Sequence, residues 1–363
     1  MSFLILLLIF IPLIIITSIT PYITRKTESF GVLIPSNVYH NPILQKLRKQ
    51  YLQLSIIVGV ILVGVLLAIS SLFNEETFYA TFIISTFVYI FITFAIYLYF
   101  HKKMKQLKST EKWFEKKRET IVVDTNFYKE KKVVSYLWFI LPLIITISTG
   151  IWSIINYDQF PDRLPMQYNM SGEVTRYADK SIVAVLSLPF LQLFLTGLFM
   201  FINYVIAKSK QQIDPANPEE SIEQNLIFRR RWSVYLIVSG TLLVAMFAVP
   251  QVSFIYEMNL TIMLSLIFAV VGITLLGALL ITITTGQGGS RVKLGKTKDG
   301  DLINRDDDRY WKLGVFYFNP EDPAIWIEKR FGSGWTMNFA RPQGWLIFIV
   351  IILIPIAIAI FTS

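Results

Sequence analysis

The residues most suited to touching a ligand lie in Pro165–Ser181, "PMQYNMSGEVTRYADKS": Pro165, Gln167, Tyr168, Asn169, Gly172, Tyr177 and Lys180. Carboxamide, phenol and ammonium groups offer hydrogen bonds, not a catalytic set. A second group is spread over 311–342: Trp311, Gly314, Tyr317, Asn319, Asp322, Pro323, Arg330, Gly334, Trp335, Asn338 and Pro342. Its mixture of aromatic, turn and charged residues describes a small folded module that anchors or binds a partner.

Catalytic and cofactor chemistry is harder to find. The chain has no cysteine and two histidines, His40 and His101, which excludes disulfides, thiolate chemistry and a histidine-rich metal site. No HExxH, G-x-S-x-G or intramembrane Asp pair is present. Gly295-Lys296-Thr297 suggests a phosphate loop, but five residues separate Gly289 from Gly295 where the motif needs four, and an apolar helix precedes it instead of a strand. The acidic run Asp299–Asp308 lacks the EF-hand spacing and its closing Glu. We therefore expect no enzyme, no cofactor and no metal.

The elements that must position these residues are membrane helices. Of 363 residues, 54% are hydrophobic and 16% charged, against about 25% charged in a soluble domain. Eight apolar runs approach the roughly 20 residues a spanning helix needs: Phe3–Thr20, Leu54–Phe73, Phe78–Phe100, Val134–Ile155, Ile182–Ala207, Trp232–Pro250, Leu260–Ile283 and Trp345–Phe361. The first lacks a basic n-region and a cleavage site, so it reads as a retained helix. Every Lys, Arg, Asp and Glu falls outside these runs, which argues against ion-coupled transport. Pro12, Pro142 and Pro189 lie inside them and are expected to kink helices, or to open a backbone-lined substrate path.

Charge sets the expected orientation. Alternate loops carry five, eleven, five and ten Lys/Arg, and the intervening ones none, three and none, so 31 basic residues face one side and three the other. The positive-inside rule places the richer side in the cytoplasm. Both termini and Pro165–Ser181 are then extracellular. The net charge of +9 reflects loops facing anionic lipid, not nucleic acid.

The loops differ in character. His101–Lys132 has helical spacing of Lys and Glu around Trp113 and Phe114, as in an amphipathic extension or a partner or lipid site. In Lys208–Arg231, Asn217-Pro218-Glu219-Glu220 is a helix start; no chemistry is visible there. Thr284–Lys298 reads as a flexible exit from the membrane. Leu313–Phe318, Ala324–Glu328 and Trp335–Phe339, separated by "NPEDP" and "FGSG", suggest a small β-meander, with Trp311, Trp326 and Trp335 at the headgroup level. In the outward loop, 162–169 is extended, Asn169–Gly172 is a tight turn, and the whole is a compact cap. It serves as a connector or as a ligand-contacting face.

The pattern Pro165-x-Gln167-Tyr168-Asn169-x-x-Gly172-x-x-x-x-Tyr177-x-x-Lys180, flanked by two apolar helices, resembles the uncharacterised bacterial membrane domain at the front of SdpI-type immunity proteins. Many members carry His where Gln167 stands, so any role of that His is lacking here. The tail "WKLGVFYFNPEDPAIWIEKRFGSGWTMNFARP" resembles a module of unknown function that accompanies this domain in Gram-positive bacteria. The resemblance implies protection against a secreted toxic peptide, in some relatives with sequestration of a transcriptional repressor.

The expectation is an all-α integral membrane protein of about eight transmembrane helices, with a small β-like cytoplasmic segment before the last. Its parts are a three-helix region with basic cytoplasmic loops (1–133), a two-helix unit with the extracellular cap (134–207), two further spans (208–283), a cytoplasmic or interfacial module (284–344) and the last helix (345–363). Partners expected are the lipid bilayer, a secreted peptide outside, and a small regulatory protein or anionic lipid inside. Two functions fit: a binding, sensory or immunity protein of the bacterial plasma membrane, or a transporter or channel component for an apolar substrate.

Overall fold

A computed structural model describes residues 6–72, 75–111, 113, 118–120, 130–168, 173–256, 258–294, 302–304 and 306–361. Helices dominate. They are α1 (Ile11–Ile23), α2 (Pro42–Leu72), α3 (Glu75–Glu111), α4 (Ile140–Ile155), α5 (Ile182–Val185), α6 (Ser187–Lys208), α7 (Pro218–Ser253), α8 (Leu260–Thr285) and α9 (Pro342–Phe361). The strands are short: β1 (Glu28–Ser29), β2 (Val32–Leu33), β3 (Arg118–Thr120), β4 (Arg163–Tyr168), β5 (Val174–Asp179), β6 (Leu302–Asn304), β7 (Trp311–Lys312), β8 (Phe316–Tyr317), β9 (Trp326–Glu328) and β10 (Trp335–Met337). They form five two-stranded ladders, all antiparallel except β3–β6.

Six helices among the described residues are long and apolar enough to cross a membrane: α2, α3, α4 with the turn before it, α6, α7 and α8. The first and last apolar runs form shorter apolar helices, Leu8–Ile23 and Pro342–Ile358. Several helices outrun the apolar stretches that announce them. α2 starts at Pro42 and α7 at Pro218, and α3 runs on to Glu111, because polar residues of good helix propensity continue each helix. Pro218 opens α7 with Glu219 and Glu220 in its first turn, as the helix-start pattern predicts. The three prolines expected to kink helices each follow an irregularity in the helix path: Pro12 a π-helical stretch at Leu6–Phe10, Pro142 a 3-10 turn at Tyr136–Phe139, and Pro189 the break at Leu186.

The chain divides into two compact units, each discontinuous in sequence. One comprises Met1–Lys132, Lys208–Arg231 and Ala278–Gly344. Its largest apolar core joins Phe30, Val32 and Ile34 to Leu44, Leu47 and Tyr51 of α2 and Tyr97, Phe100 and Met104 of α3. The other comprises Val133–Ala207, Trp232–Gly277 and Trp345–Ser363. Its helices are polar inside and apolar outside. On α4, Pro142, Thr146, Thr149 and Ser153 are buried, while Ile144, Ile147, Ile151 and Ile154 are exposed. Spacings of four, three and four put the buried set on one helix face. The inversion suits a bundle whose outer solvent is lipid.

Candidate functional site

The stretch 163–179 is a hairpin, β4 against β5, pairing Arg163 with Asp179, Pro165 with Tyr177, Gln167 with Arg176 and Tyr168 with Val174. Register shifts flank Gln167. Proline cannot donate to the ladder, so the irregularity falls beside Pro165. The base is apolar: Phe160, Leu164, Ala178, Ala184 and Val185 are buried together, with Trp152, Phe254 and Ile255 against them. Beyond this base Gln167, Tyr168, Arg176 and Tyr177 are all exposed, on both faces of the hairpin, since neighbours along a strand point to opposite sides. Partial burial, with Tyr177 nearby, raises the Tyr168 phenol above its usual value.

Lys180 has a structural part. Its Nζ donates to the carbonyls of Asp158 (3.1 Å) and Phe160 (2.8 Å) and lies 5.1 Å above the Tyr157 ring, and its N–H bonds the Asp162 carbonyl. It pins the base of the hairpin. Asn169 and Gly172, with the turn expected at Asn169–Gly172, lie outside the described residues.

The residues 311–342 do not form a meander. β7 pairs with β8, β9 pairs with β10, and a single bridge joins Tyr317 to Asn338. Side chains hold the rest together. Asn338 accepts from the Asn319 N–H (3.0 Å) and donates to the carbonyls of Asn319 (2.8 Å) and Asp322 (3.2 Å). Asp322 accepts from Tyr317 Oη (2.8 Å) and Lys210 Nζ (2.5 Å), and its carbonyl accepts from Arg341 Nε (2.9 Å). Asn319 also donates to Tyr317 Oη at 3.1 Å. Pro342 opens α9, and Pro323 is exposed beside the knot.

Trp311 is buried with Tyr317 and Ile327, and the Arg330 guanidinium lies 5.1 Å from its ring centre. A module that closes on its own aromatic side chains leaves none of this ring for lipid. Trp335 pairs with Glu328 in the ladder and packs on Phe228. Gly314 has φ +73°, and a Cβ there would lie 2.6 Å from both Tyr97 Oη and His101 Cε1 of α3. The same tyrosine donates to the Leu313 carbonyl at 2.8 Å. Gly334 has φ +107° and donates its N–H to Gln287 Oε1 at 2.7 Å, while Gln287 Nε2 donates to the Gly334 and Lys329 carbonyls. The stretch after Thr284 is therefore a buried turn over Gln287–Gly289, not a slack exit, because Gln287 supplies both halves of an amide pair. Gly295-Lys296-Thr297 and most of the acidic run before Asp306 lie outside the described residues.

The most concentrated electrostatics lie in a cluster that the sequence does not announce. Glu328 of β9 is fully buried. It accepts from Arg229 Nη2 (2.6 Å), Asn225 Nδ2 (2.9 Å) and Arg25 Nη2. Arg229, also fully buried, donates to Asn225 Oδ1 and to the Ser209 carbonyl. Arg25, just beyond α1, adds Gln212 Oε1 (2.7 Å) and lies 3.6 Å from Glu28. Arg330 pairs with Asp307 and Asp308, and Lys108 of α3 with Asp306 (2.8 Å) and Asp308 (2.7 Å).

Burial strains these charges. It lowers Arg330 to about 10 although Glu28 and Asp306 oppose it. It also lowers Arg25, against Glu28, and raises Glu28, against Arg25 and Arg330. Asp308 is raised by burial despite Lys108, whereas at the less buried Asp306 burial is outweighed by the hydrogen bonds from Lys108 and the Asp308 N–H together with the Lys108 and Arg330 charges, and the value falls. Only Arg330 of this network belongs to the sequence-predicted set. Lys208–Arg231, which showed no chemistry as sequence, supplies Asn225 and Arg229. Their four-residue spacing puts them on one helix face, but their acid is 99 residues from Arg229.

A polar cavity of about 370 Å³ opens over this cluster, with Arg25 and Gln287 in its wall beside Lys26, His40, Asp214 and Glu220. Among the described residues no group of His, Cys, Asp and Glu side chains is arranged to hold a metal ion.

Two family models match. A domain of unknown function (DUF1648), which occurs in SdpI-like membrane proteins, matches residues 139–193, and a family of unknown function (DUF5808) matches residues 320–345. The first spans α4, the hairpin and the start of α6; the second spans the Asn319–Asp322–Asn338 knot apart from its first residue. Together they cover under a quarter of the chain. No curated protein and no solved structure matches.

Proposed function

We propose that this is a multi-pass plasma-membrane protein of the SdpI-like type that binds membrane-active peptides and protects the cell against them, without catalysis. The observation that carries this reading is the β4–β5 hairpin. Its base is apolar and buried, and Gln167, Tyr168, Arg176 and Tyr177 project from it uncovered. The topology proposed with it has eight crossings, both termini and the hairpin extracellular, and the 284–344 module at the inner surface. There the module meets anionic lipid or a small regulatory protein. The uneven split of basic residues, 31 to three, supports that orientation.

The test compares killing curves of parent, deletion and complemented strains across a panel of membrane-active peptides. Deletion is expected to sensitise the strain to at least one. Complementation with the Tyr168→Ala/Tyr177→Ala double variant is expected to fail while the protein still accumulates. Equal killing of parent and deletion strains across the panel would sink the reading.

One observation favours the second reading, transport of an apolar substrate. A cleft of about 610 Å³ between α2 and α3 is lined by Leu54, Ile56, Ile57 and Phe100, with Gln53 and Lys103 also in its wall. An acyl chain with a polar head fits that lining. Movement of a labelled lipid across proteoliposomes containing the protein would establish this reading, and rates equal to empty liposomes would remove it.

A further inference from the structure

Where α8 ends, the chain folds back on the helix instead of drifting away from it. Gly286 takes φ +66°, and the turn over Gln287–Gly289 follows. The Arg291 N–H then bonds the Thr285 carbonyl (3.0 Å), and Arg291 Nη1 donates to the Ile283 carbonyl (2.8 Å). The Val292 N–H bonds the Gly289 carbonyl (2.8 Å), and the Val292 carbonyl accepts from Gln224 Nε2 of α7 (2.9 Å). A cavity of about 640 Å³ opens beside this fold-back. Lys26, Arg291 and Lys293 line it together, with one acid, Glu220.

Two features suit this cavity to an anion. Among the described residues no acid forms an ion pair with Lys26, Arg291 or Lys293, whereas Arg25, Lys108, Lys210, Arg229 and Arg330 of the same unit each meet a carboxylate. Helix-end carbonyls would repel an anion, but three of them are covered: those of Ile283 and Thr285 by Arg291, and that of Thr282 by the Gly286 N–H (3.0 Å). Position and shape then select the anion. The span that contains α8 is long and apolar enough to cross a membrane, so its end lies at headgroup level. Ile283 and Thr284 form the helix side of the cavity. Leu280, four residues before Thr284 and on the same helix face, is 60% exposed. A phosphate among the three bases with an acyl chain running past Leu280 covers both surfaces. A free phosphate covers only the first.

We propose that Lys26, Arg291 and Lys293 form a binding site for the phosphate headgroup of an anionic phospholipid whose acyl chain lies along the end of α8. The site deepens the reading that brings the 284–344 module to anionic lipid, and rests on it. It does not depend on the peptide-binding hairpin.

The test uses the full chain purified in detergent and titrated with phosphatidylglycerol or phosphatidylcholine, the lipid-bound fraction being read by native mass spectrometry. Three proteins are compared: the native chain, Lys26→Gln/Lys293→Gln, and Lys102→Gln/Lys105→Gln, which removes the same charge from exposed lysines of α3. Arg291 is left in place because it caps α8. The native chain is expected to prefer phosphatidylglycerol. The cavity variant is expected to bind it about thirtyfold more weakly, about fivefold for each lysine, and the α3 variant within about twofold of native. Ammonium phosphate, replacing ammonium acetate at one ionic strength, is expected to leave lipid occupancy unchanged. Equal losses in the two variants overturn the site while leaving the module's attraction to anionic lipid in place. A native chain that binds both lipids equally removes that attraction and the site with it. Displacement of the lipid by ammonium phosphate assigns the bases to a free anion and overturns the lipid site. Should the double variant aggregate, Lys293→Gln alone is read: about a fivefold loss is expected, and native affinity overturns the proposal.

Discussion

In the hairpin, Arg163 and Asp179 face each other across the ladder at 3.8 Å, with side chains 76% and 94% exposed. In the unit that contains α2 and α3, Glu328 and Arg229 meet at 2.6 Å, both at 0%. The pairs share their chemistry and differ in solvent. Water screens the first and has already solvated each partner, so the pair can open to meet something else. The second has given up hydration of every partner, and its members hold one another because nothing else is available. The hairpin is thus suited to recognition, and the buried network to fixing β9, the start of α7 and the chain after α1 in one arrangement.

The sharpest break of that comparison is Glu328→Ala. It strands Arg25 and Arg229 without their shared acid, and a loss of about 3–5 kcal/mol is expected in denaturant unfolding of the detergent-solubilised protein. A loss under about 1 kcal/mol would mean that the buried network behaves like the surface pair. Asn338→Ala comes next. It leaves the Asn319 N–H and carbonyl without that partner, while the Asp322 carbonyl keeps Arg341, so about 1–3 kcal/mol is expected in the same assay.

A smaller effect depends on pH. Burial holds the Glu28 carboxyl above its usual 4.5, opposed by Arg25 and Arg330. The folded chain then keeps a proton that the unfolded chain has released, so between 4.5 and the raised value stability falls as pH rises. Glu28→Gln removes this slope. Its midpoint relative to the native protein is expected to climb from pH 4.5 toward neutrality, and parallel curves would refute the assignment. The least effect is expected from Arg163→Ala, with no measurable change of midpoint. A clear drop would show that the hairpin's surface charges hold the fold together after all.

Much of the architecture was legible, because a bilayer's demands are written locally. An apolar run of sufficient length is visible at α4 or α8 without knowing any neighbour. The hairpin was half legible: proline at 165 marks an extended piece, but strand pairing requires Val174–Asp179 to find its partner. The burial of Trp311 was illegible for a related reason. Tryptophan suits a membrane interface and a small aromatic core equally well, and composition does not choose between them. The charge network was illegible. Arg25, Lys108, Arg229 and Glu328 each look like a residue flanking a membrane helix, and a separation of 303 positions between Arg25 and Glu328 carries no local sign of the pairing.

The amino-acid sequence alone determines the membrane class, the position of most helices, the asymmetry of basic residues and the absence of cysteine chemistry. These depend on the transfer of individual side chains between water and lipid, which each residue decides for itself. Tertiary structure alone decides which charges are buried, that Gln287 braces Gly334 and that Lys180 serves as a staple. Those outcomes depend on which distant groups share a space from which water is excluded, and that is a property of the fold.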